Sequence, residues 1–122
     1  MRFHTLAWIA SLLCGLLCLI WLFAPQLVLG IWQVPASPEG LLLARRSAAL
    51  FAGIGCMFFA ARHAPPSLAR QAMSWGLAVG CIALAALGVF EWATNSAGPG
   101  IALAVVVEVA LALACLTLKR EQ

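Results

Sequence analysis

From Thr5 to Pro38 the chain carries no formally charged side chain, and three further long apolar runs follow it. A soluble domain of 122 residues has to cover its core with a polar, charged surface. Here only 9% of residues are charged and 65% are hydrophobic, with a mean hydropathy of +1.05, so lipid is the solvent this composition suits. A segment facing lipid must satisfy its backbone N–H and C=O groups internally, which leaves helices or a closed barrel. The apolar runs are continuous rather than alternating, so they read as helices and not as barrel strands. The expected fold is all-α: a polytopic membrane protein, a four-transmembrane-helix bundle, in a single domain over residues 1–122.

The first expected span, 6–24, ends at Pro25. A signal peptide with Arg2 as its charged region is the competing reading; the long apolar core and the lack of a small-residue cleavage site after it favour a retained helix. Ser11-Leu12-Leu13 before Cys14 lacks the small residues of a lipoprotein signal. The second span, 41–61, contains Arg45 and Arg46. Its charge-free part, 47–61, is about 15 residues or about 22 Å of helix, short of a hydrocarbon core of about 30 Å, so the helix takes the arginines in with it. The third span is expected over 71–90 and the fourth over 101–118, with Glu108 inside it.

The connections are 26–40, 62–70 and a turn around Asn95-Ser96-Ala97-Gly98-Pro99-Gly100, whose composition is that of a loop. In the first of them Leu27, Val28, Leu29, Ile31 and Trp32 are too apolar for a solvated loop, and a short interfacial segment is expected there. Pro25, Pro35 and Pro38 limit any helix in it to about two turns.

Orientation follows from the flanking cations. Arg2 precedes the first span, Arg62 and Arg70 lie between the second and third, and Lys119 and Arg120 follow the fourth, whereas the turn near Asn95 has none. The positive-inside rule then places both termini and the middle loop in the cytoplasm. Trp8 and Trp75 fall at the inner ends of their spans, and Trp21, Trp32 and Trp92 near the outer boundary, as interfacial belts require. Without a eukaryotic sorting signal, the expected location is a bacterial inner (cytoplasmic) membrane.

Small residues recur every fourth position on two spans: Ala72, Gly76 and Gly80 on the third, including a GxxxG, and Ala48, Ala52, Cys56 and Ala60 on the second. Such stripes permit close helix contact, within one bundle or between chains. Intramolecular packing is the default expectation.

The remaining polar residues gather at one depth. With the second and fourth helices entering from outside, Arg45 and Arg46 lie about 6–8 Å below the boundary and Glu108 about 10 Å. Glu91 ends the third span, and Glu39, Gln33, Trp92 and Asn95 occupy the adjoining loops. Ionisable groups inside a membrane normally face the bundle and pair. Arg45, Arg46, Glu91, Glu108 and Asn95 are therefore the candidate polar cluster. It reads as a structural lock between three helices, or as a ligand site opening to the outer leaflet in which arginine holds an anionic head group or Glu108 exchanges a proton. Neighbouring residues diverge by about 100° on a helix, so one arginine is free to snorkel.

Cys14, Cys18, Cys56, Cys81 and Cys115 all lie within spans and are expected to be small packing residues without a disulfide. Cys14 and Cys18 share a helix face but have no histidine or acid beside them, a poor metal site. His4 and His63, at the inner boundary, are expected to be solvated rather than haem ligands. No metalloprotease, phosphate-loop or nucleophile-elbow motif is present. No metal, no cofactor and no nucleic acid partner is expected.

Pro25, Glu39-Gly40, Arg45-Arg46 and Gly53-Ile54-Gly55 resemble the pattern of small four-helix bacterial inner-membrane proteins of the broad DoxX-like kind, which have a proline after the first helix, an apolar outer loop, and an arginine opening a glycine-rich second helix. The resemblance implies a four-helix bundle with no established activity, and favours Arg46, nearest the glycines, as the partner of Glu108. Small multidrug transporters are similar in size, but they carry an essential glutamate in the first helix, where this chain has no acid. Three functions stand: a non-catalytic accessory or scaffold protein packing with a membrane partner or with itself; a binder or carrier of a lipophilic anion or lipid at the outer Arg/Glu group; and a lipid- or quinone-modifying enzyme using Glu91 or Glu108 as acid or base. Membrane lipids, a membrane-protein partner or a second copy of the chain are the expected partners.

Overall fold

The computed structural model describes residues 2–119. Of the groups used above for orientation, Arg120 lies outside the described residues. Helix α1 spans Phe3–Phe23, α2 Pro25–Ile31, α3 Pro38–Ala60, α4 Leu68–Ala93 and α5 Ala102–Lys119, the last entered through a 3₁₀ turn at Pro99–Ile101. Four segments, Phe3–Phe23, Pro38–Ala60, Leu68–Ala93 and Pro99–Thr117, are long and apolar enough to cross a membrane. The chain is thus an all-helical, multi-pass bundle.

Helices α3 and α4 begin earlier than their apolar runs because their caps are polar. Ser37 caps α3 by accepting the Gly40 N–H at 3.0 Å, with Pro38 in the first turn and Glu39 behind it. Ser67 caps α4 by accepting the Arg70 N–H at 3.3 Å. Each cap satisfies one otherwise orphaned amide, so a polar first turn joins each span. Pro25 starts α2 at a position that tolerates the missing N–H, and the helix ends after 7 residues, the two turns its prolines allow.

The C-terminal ends of α2 and α4 close in the same way. After α4, Asn95 adopts φ 60°, its N–H donates to the Trp92 carbonyl (3.1 Å) and the Ser96 N–H donates to the Glu91 carbonyl (2.8 Å). After α2, Gln33 adopts φ 57°, its N–H donates to the Gly30 carbonyl (3.2 Å) and the Val34 N–H to the Leu29 carbonyl (2.8 Å). These are two Schellman motifs, each with a left-handed residue that reverses the chain.

The bundle is built from two hairpins, α1 with α3 and α4 with α5. In α4 the buried face is Ser74, Ala78, Cys81, Ala85 and Gly88, at alternating spacings of four and three. Ile101 of the 3₁₀ turn and Ala112 and Cys115 of α5 are buried, and Val105 and Glu108 are half-buried between them on the same spacing. Small residues in a heptad register suit a shallow crossing angle. Val105 lies so close to Gly88 that a side chain there would displace it. In the other hairpin, Gly55 of α3 faces the backbone of α1, where a Cβ would meet the Cys14 Cβ at 3.3 Å and the Ser11 carbonyl oxygen at 3.4 Å.

The hairpins join at both ends. At one end Phe3, Leu6, Ala7 and Ala10 of α1 pack with Phe58 of α3, Ala78 of α4 and Cys115 of α5 in one apolar cluster. At the other, the Gly98 N–H donates to the Trp32 carbonyl at 2.6 Å, and Gly100 sits directly against the Ile31 carbonyl, leaving no room for a Cβ.

Candidate functional site

The arginines of the expected polar cluster do not join its acids. Glu108 lies on the α5 seam toward α4 and is half-buried, within electrostatic reach of Glu91 and of the Cys81 thiol. Arg45 and Arg46 are exposed on the surface of α3, since its buried face runs through Ala44, Ala48, Gly55 and Phe58. Their rotation of about 100° and 200° from Ala44 turns both away from that face. The expected Glu108–Arg46 pair is not formed: among the described residues no carboxylate lies within 4.0 Å of an arginine. The reason is the pairing of helices, because α3 packs on α1 while α5 packs on α4. Asn95 is exposed and its backbone serves the α4 terminus.

At the opposite end of the bundle the structure assembles a group that the sequence shows only as scattered flanking residues. Arg2, Phe3, His4, Arg62, His63 and Arg70 line a cleft of about 370 Å³. His4 and His63 stack with ring centroids 4.8 Å apart at 23°, and the His4 Nδ1 is 3.1 Å from the Arg62 carbonyl oxygen. Both histidines are exposed, and their rings pack on each other. Arg62 lies 4.0 Å over the Phe59 ring and 5.5 Å from that of Trp8, and donates to the Phe59 carbonyl. Arg70 lies 4.7 Å over the Phe3 ring and donates to the Ala64 carbonyl at 3.3 Å. Its Nε is buried without a hydrogen-bond partner. Alternating spans put residues 2–4 beside 62–70, and that topology was the signal from which the grouping could have been read.

The small-residue stripe of α4 is also placed differently from the default expectation. Ala72, Gly76 and Gly80 are exposed, about 200° from the Ser74–Gly88 seam for a step of two residues. A Cβ built on Gly76 or Gly80 meets nothing within 4 Å. On α3 the stripe is divided: Ala48 is buried, Ala52 half-buried, and Cys56 and Ala60 exposed. All five cysteines are free, with Cys14, Cys81 and Cys115 buried. Among the described residues no group of three or more His, Cys, Asp or Glu side chains is placed to hold a metal ion.

In comparisons with known proteins no family model, no curated protein and no solved structure matches the chain, so what is shown is a small, four-span, all-helical membrane protein.

Proposed function

We propose that this protein is a non-catalytic accessory or scaffold component of a bacterial inner membrane, which associates through α4 with the transmembrane helix of a partner or of a second copy. The observation that carries this reading is the contrast between two sets of glycines. Gly55 and Gly88 are occupied by contacts inside the hairpins, whereas Gly76 and Gly80, one turn apart with Ala72, open onto the surface. Between helices in lipid there is no hydrophobic driving force, so close backbone approach at small residues is what stabilises association. The short connections between the spans suit a packing role.

Native mass spectrometry from mild detergent tests it with Gly76→Leu and Gly80→Leu. Since nothing lies within 4 Å of either Cβ position, the fold is expected to tolerate both changes while the co-purifying partner or dimer is lost. Unchanged association of the folded double variant would end this reading.

A further inference from the structure

We infer that the basic cleft at the Arg2–Arg62–Arg70 end is a binding site for a phosphate group, either that of an anionic phospholipid or free phosphate. Three guanidinium groups and two imidazoles border one cleft of about 370 Å³. The described acids, Glu39, Glu91 and Glu108, all belong to the other half of the molecule, at the start of α3, the end of α4 and the first half of α5. Charge concentrated in this way, with no carboxylate beside it among the described residues, attracts an anion.

The arginines are held without being used up. Aromatic rings and a carbonyl fix each of Arg62 and Arg70, which occupies a ring face and one donor of the five each guanidinium offers. The Arg70 Nε is buried and unpartnered, and a buried donor without an acceptor is costly unless something arrives to accept from it. A phosphate presents several acceptor oxygens and matches the planar fork of a guanidinium. The His4–His63 stack, tied to the Arg62 carbonyl, holds the start of α1 against the α3–α4 connection and so keeps the cleft open.

The level of the cleft favours a lipid as the source. It lies at the ends of α1, α3 and α4, with Trp8 one turn further along α1 in edge contact with His4 and Phe59. Tryptophan marks the head-group level of a bilayer, where basic pockets between helices take anionic head groups. The exposed Ile9, Leu12 and Phe59 beside it offer an apolar track for acyl chains.

The test measures binding to the purified full-length protein in dodecyl maltoside by native mass spectrometry and by tryptophan fluorescence. The probes are dioleoyl phosphatidylglycerol, dioleoyl phosphatidylcholine and inorganic phosphate. We expect phosphatidylglycerol to be retained about ten-fold more tightly than phosphatidylcholine, a difference that added salt diminishes. The Arg62→Gln/Arg70→Gln double variant should lose that preference, and Arg45→Gln/Arg46→Gln, at the other end, should keep it. Saturable binding of inorganic phosphate that depends on Arg62 and Arg70, without preference between the lipids, would support the site and assign it to free phosphate. Equal retention of the two lipids by the unmodified protein together with no phosphate binding would overturn the inference without recourse to any variant. So would a preference abolished by the Arg45/Arg46 change alone.

Discussion

Glu108 occupies a seam position on α5, half-buried between Val105 and Ala112 and turned toward α4. It has neither a hydrogen bond nor an ion pair among the described residues. Breaking a buried ion pair typically costs about 3–5 kcal/mol; here there is no pair to break. Glu108→Gln keeps the shape and replaces a half-buried carboxylate that has no ion-pair partner, so thermal unfolding in detergent should show equal or higher stability. A loss of about 3 kcal/mol or more would reveal a partner for the carboxylate. The depth of Glu108, Arg45 and Arg46 was legible in the sequence because helical rise is constant. Their partners were not, because the side a residue faces matters only once the neighbouring helix is known.

Helix termini form the next level. The apolar runs marked the middle of each span but began short of Pro38 and Leu68, since hydropathy is blind to a serine cap and a polar first turn. At the C-terminal ends of α2 and α4 the chain reverses through Gln33 and Asn95 in the left-handed region. Asparagine and glycine tolerate this conformation; for a β-branched residue it is a genuine outlier. Asn95→Gly is therefore expected to leave stability unchanged or slightly raised, and Asn95→Val to lower it by about 1–2 kcal/mol. Gln33→Gly should gain less than its backbone relief suggests, because the Gln33 side chain covers Gly98. Thermal unfolding of the three variants checks the series, and a neutral Asn95→Val would mean that the α4 terminus closes differently. The two-turn helix α2 was legible from its prolines, whereas the second Schellman motif was hidden by a glutamine at the position where glycine is usual.

The whole molecule is two helical hairpins, fastened at one end by an apolar cluster around Phe3 and Phe58 and at the other by the Trp32–Gly98 hydrogen bond. The cleft of Arg2, Arg62 and Arg70 and the turn at Asn95 stand at opposite ends, so orientation decides which leaflet each meets. By the positive-inside rule the basic end is expected in the cytoplasm. A reporter fused after Gln122 should be active as a cytoplasmic fusion, and one inserted within 95–98 as a periplasmic one. The reverse pattern would put the basic cleft in the outer leaflet. Four spans and their order were determined by the sequence alone, because transfer of about 20 apolar residues into lipid is a local property summed along the chain. Only the tertiary structure decided that α1 pairs with α3 and α4 with α5, that Arg46 never meets Glu108, that Gly76 and Gly80 face outward, and that five basic residues surround one cleft. Those outcomes depend on how each helix is rotated about its axis against its neighbour, and that rotation is set by contacts between segments distant in sequence.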